Sequence, residues 1–215
     1  MDITHIGHAS FRLRGKKATL ITDPFDPDML GLKFPKTESD IVTISHEHRD
    51  HNYKEGISGE KIIFIEGPGE YEVLGVKVIG MSTYHDDNHG LERGKNNIYR
   101  IDMDEISVVH LGDLGHKLDE KAVEILNGID ILMVPVGGIY TISPVIAALI
   151  VSQLEPSIII PMHYLIDRMN KEKFGQLADV GLFLKEMGKE GVIPMAKLSI
   201  TKDKIPVEQT VVVLE

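Results

Sequence analysis

The chain contains no cysteine. That excludes disulfides, thiolate metal ligands and a cysteine nucleophile, so any metal must be held by nitrogen and oxygen. The opening Met1-Asp2-Ile3-Thr4 has neither the basic nor the apolar region of a leader peptide, and no run approaches the ~18 apolar residues of a membrane span. A cytoplasmic protein with no membrane span is the expectation. Basic residues are in the minority, 23 Lys and Arg against 33 Asp and Glu, and the formal charge is −10. Lys and Arg never run longer than two in a row, so a nucleic-acid partner is not expected. Internal repeats, low-complexity tracts and linkers are also missing. The 215 residues, 42% of them hydrophobic, therefore read as a single domain, 1–215, able to bury a substantial core.

Short β-type runs come first: Ile3–Ile6, Ser10–Arg14, Ala18–Thr22, Asp40–Ser45, Lys61–Ile65, Tyr71–Val73, Val76–Met81, Asn97–Ile101 and Ile106–Leu111. The pattern then changes. Leu118, Ala122, Ile125 and Leu126 recur at helical spacing before Gly128. A strand over Ile131–Val136 precedes a second helix, for which Ser143 is the cap, Pro144 suits the first turn and Pro156 marks the end. Ile158–Ile160 reads as a strand, one short helix is expected between Lys171 and Met187, where Gly175 and Gly181 interrupt the periodicity, and Val211–Leu214 closes the chain as a strand. Strands first, then strands alternating with helices, predict a layered α/β architecture.

The densest chemical signal is Ser45-His46-Glu47-His48-Arg49-Asp50-His51, three histidines and an aspartate within six residues, directly after an apolar strand. On extended backbone residues two apart point the same way, so His46 and His48 can grip one ion while Asp50 and His51 project toward a second position. Imidazoles crowded at the end of an apolar strand bring no packing benefit, which argues against an ordinary surface loop. Two metal shells need about three protein ligands each, so others must come from elsewhere. His85 and His163 both follow apolar strand runs, and Asp113 follows Ile106–Leu111 with Gly112 beside it for a tight turn. Each stands where a sheet meets a loop.

These motifs resemble the metallo-β-lactamase superfamily, whose first signature H-x-H-x-D-H is matched by His46 through His51, with Tyr84-His85-Asp86, Gly112-Asp113 and Pro161-Met162-His163-Tyr164 following in the family's order. The opening Gly7-His8-Ala9-Ser10-Phe11 and the turn Thr22-Asp23-Pro24 are similar to the branch that contains ascorbate-6-phosphate lactonase and phospholipase-D-type members. The resemblance spans nearly the whole chain and implies an αββα sandwich with metals at one edge. It also implies that His46, His48 and His85 hold one ion, that Asp50, His51 and His163 hold the other, and that Asp113 bridges them. Nitrogen-rich ligation makes zinc the default, with manganese or iron as other occupants. Diiron oxygen-reducing relatives usually carry a carboxylate where this chain has His48, a departure that argues for hydrolysis.

Around this set several residues have two readings. His8 lies near the metals or bonds a hairpin turn; Asp23 orients a ligand histidine or caps its turn. His110 faces away from Asp113 on its strand and reads as a packed histidine. His116 is a proton shuttle or a solvated loop residue, Arg93 a substrate anchor or part of a solvated turn, and Tyr164 an oxyanion donor or a packing residue. Gly137–Thr141 lacks a phosphate-loop lysine and reads as a turn beside the active edge. The expected activity is hydrolysis of an ester, lactone or phosphoester of a small molecule by a water or hydroxide bridging two divalent ions, oriented by Asp50 or Asp113. A lactone or other carboxylic ester is the first substrate class and a phosphodiester the second. The rival is a catalytically silent metal-binding sensor or interaction protein that kept the sandwich.

Overall fold

Alternating burial along the first residues builds β1 (Asp2–Gly7), in which Ile3, His5 and Gly7 turn inward while Asp2, Thr4 and Ile6 stay partly exposed. The computed structural model describes residues 1–215. A two-residue turn, His8-Ala9, leads into β2 (Ser10–Arg14), then β3 (Thr19–Thr22), the four-residue helix α1 (Pro27–Leu30), β4 (Thr37–Glu38), β5 (Ile41–Thr43), β6 (Ile57–Ser58) and β7 (Ile63–Ile65). The second half contains β8 (Gly69–Val73), β9 (Val76–Tyr84), β10 (Lys95–Met103), β11 (Ile106–His110), α2 (Glu120–Leu126), β12 (Ile131–Pro135), α3 (Pro144–Leu154), β13 (Ile158–Met162), α4 (Lys171–Phe174), α5 (Val180–Glu186), β14 (Leu198–Ser199) and β15 (Thr210–Val211).

One sheet has the strand order β14-β1-β2-β3-β5-β7 and the other β15-β13-β12-β11-β10-β9-β8; β4 and β6 form a separate pair. The sheets face each other across a core in which Ile3, Phe11, Leu13, Leu20 and Ile41 of the first pack with Tyr99, Ile101, Val108, Met133 and Ile160 of the second. The far face of the second sheet presents Val109, Leu132, Val134 and Ile159 to Ala147, Ile150 and Leu154 of α3 and Phe183 of α5. The far face of the first sheet is covered more thinly, by Phe25, Leu30 and Phe34 around α1 and Phe174 of α4 against Ile21, Val42 and Ile44. The protein is thus α/β with the layer order αββα.

Helix α3 begins where Ser143 accepts from the Ile146 amide and stops at Glu155, in left-handed backbone before Pro156. Between Lys171 and Met187 two helices replace the single one expected. The chain leaves α4 at Gly175, and Asp179 then caps the amides of Gly181 and Leu182, so Gly181 falls in the first turn of α5 and does not break it. Strands β9 and β10 outrun their apolar cores because polar ends pair across the antiparallel register, Ser82 with Asn97, Thr83 with Asn96 and Tyr84 with Lys95. The closing strand is shorter than expected, Leu214 making only a bridge to Met195. The brief elements α1, β4, β6 and β14 lie outside the sequence-based expectations; two-residue strands carry no periodicity to read.

Topology fixes where chemistry can sit. Strands β3 and β5 run parallel in one sheet, β11, β12 and β13 run parallel in the other, and the loops after their carboxyl ends open on one edge. The start of β2 reaches that edge too, because it pairs antiparallel with β3 and the Ser10 hydroxyl donates to the Thr22 carbonyl.

Candidate metal centre

Asp23 follows β3, Ser45 to His51 follow β5, His85 follows β9, Asp113 follows β11 and His163 follows β13. All seven residues expected from the sequence to hold metal converge at this edge. Three overlapping groups have ligand atoms within 4.8 Å of one another: His46, His48 and His85; His46, His51 and Asp113; and His8, Asp50, His51 and His163. Asp113 lies between the first and the last. Its Oδ2 is 3.1 Å from His163 Nε2, 3.2 Å from His51 Nε2, 3.2 Å from His85 Nε2 and 3.9 Å from His46 Nε2.

Neighbouring side chains set which ring nitrogen faces the centre. Asp23 accepts from the Ser45 amide at 2.7 Å through Oδ1, and through Oδ2 from the Ser45 hydroxyl at 2.6 Å and from His51 Nδ1 at 2.9 Å. In its neutral form, the one a metal ligand needs, His51 therefore carries its proton on Nδ1 and turns an Nε2 lone pair inward. The Ser45 hydroxyl, having donated to Asp23, accepts from His46 Nδ1 at 2.9 Å, which leaves His46 Nε2 in the same condition. Asp113 is aimed by Asn96, whose Oδ1 accepts the Asp113 amide at 2.9 Å and whose Nδ2 donates to the Leu111 carbonyl at 2.9 Å and to Thr83 Oγ1 at 3.0 Å. Gly112, at φ 55, must remain without a side chain: a Cβ there would stand 2.3 Å from Asn96 Oδ1 and 2.6 Å from Ser45 Cβ.

Backbone strain gathers in the same place. His8, Asp23 and His163 all adopt positive φ, at 57°, 38° and 53°. Such conformations cost about 1–3 kcal/mol each in non-glycine residues and persist where surrounding contacts over-determine them. The His163 amide donates to the His8 carbonyl at 3.0 Å, and Gly137 makes room behind it, since a Cβ would lie 2.1 Å from the His163 carbonyl oxygen.

Electrostatics divides the donors. Burial holds the His46 and His8 imidazoles below their ordinary range, His8 at about 3, and burial together with His85 lowers His48. Burial also acts to lower His51, but the carboxylates of Asp113, Asp23 and Asp50 overcome it and raise this ring well above the usual value. Burial would raise Asp113, yet His163 and His51 hold it well down; Asp50 is likewise held down, against burial, by the neighbouring imidazoles of His8 and His51. Several buried polar atoms face this space without any hydrogen-bond partner: Nε2 of His8, His46, His51 and His163, and Asp113 Oδ1. Converging lone pairs with nothing to donate to them are the condition that a cation relieves. The donor set fits divalent transition metals, being all imidazole and carboxylate.

The structure places the residues that had two readings. Asp23 orients His51 and Ser45 from behind the donors. His110 is a satisfied packed histidine, with Nε2 2.8 Å from the Ala9 carbonyl and Nδ1 accepting the Gly112 amide. His116 has both nitrogens engaged on the rim, one by the Tyr84 amide and one by the Lys117 carbonyl, so it offers no free nitrogen for shuttling. Of the two readings of Tyr164 the packing one agrees with its surroundings: its hydroxyl is directed to the Leu214 carbonyl, 3.5 Å away, and its ring packs with the helix-side core. Arg93 and Lys95 line a cleft of about 400 Å³ together with His46, Glu47 and His48. The Arg93 guanidinium lies 5.9 Å from the ring of Tyr140, in the turn after β12, so that turn does border this edge. Ser45 and Asn96 escaped the sequence reading; the one available signal was a pair of asparagines, Asn96-Asn97, directly preceding an apolar strand run.

A sequence profile of the beta-lactamase superfamily domain matches residues 2–163. A UPF0173 metal-dependent hydrolase of Thermococcus onnurineus is 30% identical over 191 residues, 76% of this chain and 84% of the relative, and another from Thermoplasma acidophilum is 30% identical over 199 residues, 80% of this chain and 88% of the relative. A crystal structure from Thermotoga maritima, a proposed Zn-dependent hydrolase of the metallo-beta-lactamase superfamily, is 38% identical and superposes with a TM-score of 0.81, covering 99% of this chain and 97% of that one. The chain belongs to the metallo-β-lactamase superfamily.

Proposed function

We propose that the protein is a metal-dependent hydrolase with a dinuclear, zinc-type centre that cleaves an ester, lactone or phosphoester of a small molecule. The observation that carries this reading is Asp113, a buried carboxylate whose one oxygen lies within 3.2 Å of three imidazole nitrogens drawn from both donor groups. His46, His48 and His85 would hold one ion, and Asp50, His51 and His163 the other. Two divalent ions placed there would supply a water nucleophile at neutral pH and an electrophile for the substrate oxygen under attack.

The chain's own residues do the positioning. Asp113 fixes the line between the donor groups, Asp50 offers a second buried acceptor able to orient a water proton, and Asp23 and Ser45 hold His51 and His46 in the required tautomers. His48 is the exposed member of its group, so substrate reaches the centre from that side, along the cleft where Arg93 and Lys95 can take an anionic group. Support for hydrolysis also comes from the relatives, which are named metal-dependent hydrolases.

Turnover of a panel of lactones, thioesters and phosphodiesters by protein loaded with zinc, manganese or iron tests the proposal. Hydrolysis of a lactone or carboxylic ester is expected, and Arg93→Ala should raise KM for anionic members more than for neutral ones. Two bound ions with no turnover across the panel would favour the silent metal-binding alternative instead.

A further inference from the structure

The hairpin between β1 and β2 gives His8 a role beyond lying near the centre. Tips of two-residue hairpins are ordinarily solvent-exposed, yet His8 and Ala9 are both fully buried, at 0%. The pairing of β1 with β2 shifts register between His5 and Gly7, Gly7 takes φ 142 and His8 φ 57, and together these turn the His8 ring inward. Its carbonyl is fixed from two sides, by the His163 amide at 3.0 Å and by His5 Nε2 at 3.1 Å. The two other buried histidines outside the expected ligand set, His5 and His110, each find protein partners for a ring nitrogen. Both ring nitrogens of His8 are buried without one.

What the ring faces is the Asp50, His51 and His163 group. His8 Nε2 is 3.5 Å from Asp50 Oδ2, and its ring centroid lies 3.9 Å from that of His163 and 5.1 Å from that of His51. The four ligand atoms lie within 4.8 Å of one another. Bonds of about 2.1 Å place ligand atoms about 3.4 Å apart in a tetrahedral shell and up to about 4.2 Å apart when opposite, so side-chain shifts of up to about an ångström close all four on one ion.

We propose that His8 is a further protein ligand at the position formed by Asp50, His51 and His163, which makes that position the closed and tighter one and leaves the His46, His48 and His85 position open to substrate. The inference rests on the dinuclear reading above. Burial agrees with it, since all four residues of the His8 group are buried whereas His48 is exposed.

The test is stepwise loading of the metal-free, full-length protein with cobalt(II), following d–d absorption and competition with a chelator, for the wild type, His8→Asn and His8→Gln. Asparagine tolerates the left-handed backbone but cannot span the distance to the ion, and glutamine reaches further. Thermal midpoints of the metal-free forms establish folding, and the glutamine variant carries the comparison if the asparagine variant is unfolded. In the wild type two equivalents should bind, the first more tightly. In the variants the tighter constant should weaken by about a hundredfold or more, the top of the range for residues that merely orient ligands, with stronger d–d absorption as the coordination number falls and no change in the other constant. A weakening below tenfold, or any weakening with an unaltered first-equivalent spectrum, would overturn the proposal and leave His8 as a partner of Asp50. A wild type that takes up fewer than two equivalents would overturn the dinuclear reading along with it.

Discussion

Asp113 occupies the position on which both donor groups depend. Asp113→Asn keeps the volume and removes the charge, so two cations placed beside it would repel across a short gap and one would bind more weakly. Metal content should fall to about one ion, turnover should be lost, and the thermal midpoint of the metal-free protein should stay near the wild-type value, because the sandwich core is apolar and separate from the donors. Near-normal turnover with both ions retained would contradict the bridging assignment. The histidine motif and Asp113 were legible from the sequence because their spacing is local and their places at strand ends follow from hydrophobic patterning. Ser45 and Asn96 were not, since each acts on a side chain that only the folded sheets bring near: Ser45 needs Asp23, 22 residues away, and Asn96 needs Asp113, 17 residues away. Tyr164 stayed open between two readings for the same reason, being adjacent to His163 in sequence while its hydroxyl turns toward the distant Leu214 carbonyl.

Elements place the donors through bonds between sheets. The hydroxyl of Tyr99 on β10 donates to the carbonyls of Ile44 and Ile65 in the opposite sheet, at 2.8 and 3.1 Å, and Asn97 Nδ2 donates to the Ser45 carbonyl at 2.8 Å. Because the Ile65 carbonyl also accepts the Ile44 amide, Tyr99→Phe leaves one buried acceptor, the Ile44 carbonyl, unpaired; it should therefore cost about 1–3 kcal/mol in denaturant unfolding of the metal-free protein and should also weaken metal binding by loosening the segment that begins at Ser45. An unchanged unfolding midpoint would show that these cross-sheet bonds do not hold the edge together.

The loop between β9 and β10 depends on one residue in a similar way: Asp86 accepts the amides of Asn88, Gly90, Glu92 and Arg93 at 2.8–3.0 Å. Burial acts to raise its carboxyl, but these four donors hold it down to about 2, below the ordinary 3.8. A depressed folded-state value stabilises fully above the unfolded value and less as pH falls through the folded one, so this contribution is present above pH 3.8 and fades toward pH 2. In metal-free protein Asp86→Asn should lower the thermal midpoint at neutral pH and flatten its decline over that acid range. It should also raise KM through a less ordered Arg93. Parallel acid profiles for variant and wild type would contradict this role. Long periodic elements such as α3 were readable in advance because capping and burial are local signals, whereas the two short helices after Lys171 needed the cap at Asp179 to be recognised.

At the scale of the whole molecule the two sheets contribute unequally to one edge. The first supplies the hairpin tip, Asp23 and the histidine motif, and the second supplies His85, Asp113 and His163. The centre therefore exists only when the sheets are packed, and patterning predicted that convergence better than it predicted the thin outer layer over the first sheet, where α1 and α4 are four residues each. Crystals of the full chain grown with zinc or manganese, measured on both sides of the metal absorption edge, test the dinuclear centre most directly. Two anomalous peaks about 3.5–4 Å apart are expected, one beside His46, His48 and His85, the other beside Asp50, His51 and His163, with Asp113 between them. A single peak under metal saturation, or peaks away from these residues, would contradict it.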